Sequence, residues 1–170
     1  MKSRKRPFKK RWLLLSSAAA PLLLPSYASG PKHQHPPVEI LSDRFRTPRR
    51  SLRVMTFNIA HGRRNRFHQL FLSRKRIEQH LREISHAFER EQVDVAALQE
   101  ADGPSVWSGS FDHVDYLARR AGFPTHTRAE NVRGLKLSYG TALLSKLPLQ
   151  QVEYFTFPPS PPTFPKGYII

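Results

Sequence analysis

The sequence has no cysteine. A disulfide scaffold, a thiolate metal site and a cysteine nucleophile are therefore excluded. Acidic residues are scarce, with 13 Asp and Glu against 28 Lys and Arg in 170 residues. No apolar run reaches the ~18 residues that a membrane-crossing helix needs. The longest, Trp12 to Leu24, has 13 residues and is interrupted by Pro21. Proline, by contrast, is plentiful: there are 15, and their clustering means that part of the chain is not packed core.

The net charge of +15 has to be divided before it is used. Residues 1–28 hold seven basic residues and no acid, so the remainder has 21 basic and 13 acidic residues. That balance still favours a polyanionic partner through counterion release. Solubility accounts for it equally well.

The first 28 residues form an address. Met1 to Arg11 is densely basic, Trp12 to Leu24 is apolar, and Ser26-Tyr27-Ala28 places small residues two apart. This is the secretory pattern, with cleavage expected after Ala28 and a periplasmic or secreted product. The alternative is a retained helix that anchors the chain to a membrane. Residues 29–50 are polar and proline-rich and read as a basic linker. Within it His33 and His35 form an H-x-H pair, and solvated side chains are the expectation there.

Residues 51–170 read as an α/β domain. Leu52 to Ile59 alternates, with Leu52, Val54, Thr56 and Asn58 on one side, and predicts a strand ending at Ala60-His61-Gly62. Ile77, Leu81, Ile84 and Phe88 fall on one face of a helix that opens after Ser73. Val93 to Glu100 predicts a second strand. Two strands joined by a helix-length connection belong in one sheet with the helix across its face. A Gly/Ser-rich loop follows from Ala101 to Ser110. A second helix is expected from Asp112 to Ala121, with Val114, Leu117 and Ala118 inward and Gly122 as its stop. Further strands are expected over 125–128, 137–144, 152–157 and from Tyr168 onward. The chain ends inside that last apolar run, so it is expected to be a fragment.

Two strands each deliver a polar residue at their C-terminal end, Asn58 and Glu100. Ligands gather where strands end and loops diverge. A carboxylate there suits Mg²⁺, which takes oxygen donors and typically keeps one or two carboxylates plus water and phosphate. Asn is also a common turn residue, and a strand-end Glu is often only solvated.

Three stretches resemble the endonuclease/exonuclease/phosphatase superfamily. Leu52-Arg53-Val54-Met55-Thr56-Phe57-Asn58-Ile59 resembles its opening strand. Asp94-Val95-Ala96-Ala97-Leu98-Gln99-Glu100 resembles the strand that ends in Leu-Gln-Glu. Tyr139 to Leu149 resembles its third conserved stretch. The order matches, and so does the helix in the 42-residue separation of Asn58 and Glu100. The resemblance implies a four-layer α/β sandwich, of which this chain holds only the first half, and metal-dependent hydrolysis of phosphate esters. Carried over by position, Glu100 ligates Mg²⁺ (or Mn²⁺) and Asn58 positions phosphate and metal. His61 lies near the same rim, Tyr139 borders the pocket, and the arginines Arg63 and Arg64 suit a phosphate. The substrate class spans nucleic acid, inositol phosphates and phospholipid headgroups.

The chain departs from that pattern in two ways. It has no Gly-Asp dipeptide and no Ser-Asp-His stretch, which carries the family's general-base histidine. Asp112-His113 follows Phe111 and opens the second predicted helix, so it reads as a helix start. The leading expectation is an exported phosphoesterase whose activity alone is in question. The alternatives are a non-catalytic remnant, a polyanion-binding module, or a membrane-attached lipid phosphodiesterase.

Overall fold

The computed structural model describes residues 33–47, 50–63, 72–134, 136–157 and 167–169. Its centre is a mixed five-stranded sheet in the order β2-β5-β6-β4-β3. The strands are β2 (Val38–Ile40), β3 (Val54–Asn58), β4 (Val95–Asp102), β5 (Thr125–Val132) and β6 (Tyr139–Ser145). β3 and β4 are parallel, and the other pairs are antiparallel. A small antiparallel sheet joins β1 (His33–Gln34), β7 (Tyr154–Thr156) and β8 (Gly167–Ile169).

The parallel β3–β4 pair needs a crossover, and α1 (Arg74–Arg90) supplies it. Ile77, Leu81, Ser85 and Phe88 are its buried face, with Ile84 partly buried beside them. Ser73 occupies the N-cap position in extended backbone, yet its hydroxyl makes no capping bond. α2 (His113–Arg120) does have a capped start. Asp112 accepts from the backbone N–H groups of Val114 at 2.8 Å and Asp115 at 3.0 Å. Gly122 follows that helix at φ +67, where glycine carries no Cβ penalty.

Both helices pack on one face of the sheet. Ala96, Leu98, Ala142 and Leu144 meet Ile77, Leu81, Phe88, Val114 and Leu117 there. Each large side chain buried in this layer contributes ~1.5–3 kcal/mol relative to exposure. Phe88 and Phe123 meet edge to face, with centroids 5.9 Å apart. On the edge strand, Leu52 and Val54 point the other way and are half or more exposed. On the opposite side Met55 packs against the core, while Phe57 is 41% exposed, so the helix layer covers this edge strand only at Met55.

The run read as a linker over 29–50 is partly structured, which corrects that reading. β2 pairs with β5 along the sheet edge. Thr125 and Thr127 hydroxyls donate to the carbonyls of Glu39 and Pro37. Further on, Arg46 pairs with the buried carboxylate of Asp94, and its backbone N–H donates to the Lys146 carbonyl at 2.7 Å. Main-chain ladders require no apolar side chains, so composition did not reveal them. β5 is also longer than the stretch expected, because its half-buried polar residues break the apolar pattern.

Candidate active site

The first strand ends in a tight turn. Asn58 turns its side chain back on the chain, and its Oδ1 accepts the Ala60 backbone N–H at 2.8 Å. A single 3-10 turn follows over Ala60–Gly62. Ala60 and His61 adopt φ of 46 and 54, in the left-handed region. Gly62 continues at φ +66, and a Cβ there would lie 2.9 Å from Ile77 Cγ2. Glycine at 62 therefore lets this turn sit down on α1.

The second strand is interrupted where the first one ends. Asn58 pairs with Gln99 across the parallel ladder, so Glu100 lies at the level of the turn. The register between β4 and β6 shifts between Leu98 and Ala101, and Glu100 has φ 53. This is a bulge, a device that re-aims a side chain. Left-handed backbone costs ~1–2 kcal/mol at each non-glycine residue. Here His61, in the turn after β3, and Glu100, on the neighbouring β4, both carry that cost, and the two side chains meet. Such outliers cluster at functional sites.

His61 is the hub. Its Nδ1 lies 2.6 Å from Asp102 Oδ1, and its Nε2 lies 3.6 Å from Glu100 Oε2. Asp102 is fully buried, whereas the Glu100 side chain is 43% exposed. A carboxylate only accepts, so Nδ1–H is the donor to Asp102. Tyr139, level with Asp102 in the β4–β6 register, sets its ring edge-on to His61 at 5.1 Å between centroids. Trp107 approaches from the loop at 6.2 Å.

Behind Asp102 the surroundings are buried and polar. Arg63 is 3% exposed. Its guanidinium lies 3.8 Å from the centre of the Trp107 ring and donates to the Trp107 carbonyl. Burial pulls the Arg63 pKa down, and the nearby charge of Asp102 opposes that shift. The sequence reading of Arg63 as a phosphate contact is therefore corrected: its stacking on Trp107 takes it inside, where it braces the loop beside Asp102. Arg64 lies outside the described residues.

His113 is also buried, and its Nδ1 is 4.0 Å from the second oxygen of Asp102. Its Nε2–H donates to the Ser108 carbonyl at 2.9 Å. Burial lowers its pKa, against the opposing pull of Asp102. It is a core residue of α2, in keeping with the reading of Asp112-His113 as a helix start.

The structure therefore brings together His61, Glu100 and Tyr139 from the sequence-derived set, with Asn58 shaping the turn. Sequence reasoning missed Asp102 and Trp107. Asp102 lies two residues past Glu100, and the bulge before Ala101, with left-handed backbone at Glu100, sets how the two carboxylates meet one histidine. Among the described residues, no group of three or more His, Asp and Glu is placed to hold an ion. A site using Glu100 would leave most of its coordination to water and substrate oxygens, which is ordinary for Mg²⁺.

Cavities also lie elsewhere among the described residues. One of about 420 Å³ sits between the 57–62 turn and α1 and is lined in part by Asn58, His80 and Ile84. Another of about 540 Å³ lies along the β2–β5 edge and includes His126, Asp112 and Asp115. The second shares no residue with the His61 cluster. Geometry and chemistry favour the open strand-end cluster over this roomier edge cavity.

The family model described as Endonuclease/Exonuclease/phosphatase family matches residues 55–168. No curated protein and no solved structure matches the chain. The matched span contains Asn58, His61, Glu100, Asp102 and Tyr139.

Proposed function

The chain belongs to the endonuclease/exonuclease/phosphatase family, and from that premise we propose that it is an exported, divalent-metal-dependent hydrolase of phosphate esters whose site is the Glu100–His61–Asp102 cluster. Family membership points to hydrolysis of phosphoester bonds as the class of chemistry. Its α/β sheet with one layer of helices fits that fold. One observation carries the assignment to this cluster. Two strand ends adopt costly backbone conformations that bring Glu100 and His61 to 3.6 Å, with a buried carboxylate fixing the histidine.

In this reading Glu100 is the ligand of a divalent ion, Mg²⁺ or Mn²⁺. When bound, such an ion neutralises charge on phosphate oxygens. Asn58 holds the turn through its Oδ1, which leaves its amide N–H groups available for a phosphate oxygen. Tyr139 and Trp107 flank His61 and limit the orientations of its ring. The basic balance of the domain draws a polyanionic substrate toward the site.

Export rests on the basic, apolar and small-residue order of residues 1–28. Among the described residues, no helix is long and apolar enough to cross a membrane. N-terminal sequencing of the protein recovered from outside the cytoplasm should begin at Ser29, and an intact Met1 would overturn the cleavage.

The test of the reaction is metal removal. Hydrolysis of bis(p-nitrophenyl) phosphate should vanish with chelator and return with Mg²⁺ or Mn²⁺. Hydrolysis that survives complete metal removal would refute the assignment. A protein that lacks hydrolysis but retains polyanion binding in chelator would point to the binding-module reading.

A further inference from the structure

The two sides of His61 are not equivalent. Asp102 takes its Nδ1–H at 2.6 Å, so in the neutral ring the other nitrogen presents a lone pair. That lone pair faces Glu100 Oε2 at 3.6 Å, which is too long for a good hydrogen bond. In that tautomer two acceptors face one another, and a proton on the ring or a metal ion between them relieves the repulsion. The fold pays left-handed backbone at both residues to hold them so.

The spacing suits a shared ion. Donors on one ion with bonds of about 2.1 Å stand roughly 3–3.6 Å apart. Metal-bound histidines almost always donate their other ring N–H to a carboxylate or carbonyl, which fixes the ring and raises its basicity. Asp102 makes that contact here, and it is fully buried with the Arg63 charge nearby.

We propose that His61 and Glu100 ligate the same divalent ion, with Asp102 as the carboxylate behind the histidine, so that the site prefers a first-row transition ion to Mg²⁺. This rests on the reading above that Glu100 holds a metal, and it extends that reading to a nitrogen donor. Imidazole favours Zn²⁺, Fe²⁺ and Co²⁺, whereas Mg²⁺ prefers oxygen ligands throughout. Asp102 is a positioning residue: it touches the histidine and not the ion. Two protein donors leave room for water and phosphate oxygens around the metal.

The probe is Co²⁺ alone, bound to the full chain without substrate. Proton NMR of the Co²⁺ protein should show a strongly shifted, exchangeable imidazole N–H, the proton shared with Asp102. His61→Gln should lose that resonance and bind Co²⁺ at least about tenfold more weakly, with little change for Mg²⁺. Asp102→Asn should weaken Co²⁺ by about 10–100-fold, the usual cost of losing such a partner. The wild-type resonance needs no variant, so a misfolded substitution does not obscure the test.

If Co²⁺ binds wild type and His61→Gln equally with no shifted imidazole proton, while Glu100→Gln abolishes binding, the nitrogen ligand is refuted and Glu100 stands. If the shifted proton persists in His61→Gln, another histidine is the ligand and the proposal falls. If Glu100→Gln also binds Co²⁺ unchanged, Glu100 is no ligand, and the metal assignment falls with it.

Discussion

Two places in this fold set a histidine beside carboxylates, His61 at the strand ends and His126 on β5. His61 is part-exposed, stands on left-handed backbone, and meets Asp102 at 2.6 Å and Glu100 at 3.6 Å. His126 is buried on regular strand, and its Nε2 lies 3.7 Å from Asp115 Oδ1, too long for a good hydrogen bond. Two of the carboxylates near His126, Asp112 and Asp115, are already engaged, while Glu39 faces it across the β2–β5 ladder. Asp112 caps α2 and pairs with Arg128, and Asp115 pairs with Arg119. Near His61, by contrast, Glu100 reaches into the open and has no arginine or lysine pair among the described residues. The two histidines thus differ in backbone, exposure and partners: His61 stands on left-handed backbone beside an open Glu100, and His126 on buried regular strand beside Asp112 and Asp115, which hold α2 and its arginines.

That contrast breaks most sharply at Asp102. Asp102→Ala should lower phosphodiester hydrolysis by about 10–100-fold, by analogy with loss of a carboxylate behind a ligating histidine. It should also destabilise the fold, because Arg63 would keep a buried charge without its neighbour. His126→Gln should leave hydrolysis unchanged when both variants are assayed side by side. Equal losses would mean that the two histidines do not differ in kind.

The next effect is on stability against pH. Burial pushes both His113 and His126 down from their ordinary value. The unfolded chain then binds protons below about pH 6.5 that the folded chain refuses, so stability should fall as pH drops through that range. Urea midpoints measured between about pH 7.5 and pH 5.5 should decrease. His126→Gln should shrink that decrease, and a slope unchanged by the substitution would contradict the assignment.

The smallest effect is at Asp112. Asp112→Ala removes the cap of α2 and the pair with Arg128 and should cost at least about 1 kcal/mol in denaturant unfolding, with hydrolysis at wild-type rate. A large loss of activity with stability intact would revive a catalytic role for Asp112-His113.

Much of this architecture was legible because periodicity is local. The faces of α1 and α2, the alternation of β3, and the end of the second strand near Glu100 all follow from residues close in sequence. Asn58, Glu100 and Tyr139 were singled out from the motifs that hold them, and His61 as a neighbour of the same rim. The His61 cluster as a whole was not, because its parts are 39 and 41 residues apart and meet only through the parallel pairing of β3 with β4. Asp102 looked like the start of a Gly/Ser-rich loop, since nothing in Gln99-Glu100-Ala101-Asp102 announces a bulge. Arg63 looked like a surface charge because its stacking partner, Trp107, lies in a distant loop. β2 escaped notice because its attachment is main-chain and threonine hydrogen bonding, which composition does not record.

Glu100 is the residue on which the proposed chemistry depends most directly. The measurement is the rate of bis(p-nitrophenyl) phosphate hydrolysis by the Glu100→Gln variant at saturating metal, with folding checked by circular dichroism. Losing the ligand of an ion worth several kcal/mol predicts a fall of at least about a hundredfold with the fold intact. A folded Glu100→Gln protein that hydrolyses the ester at the wild-type rate would contradict the account.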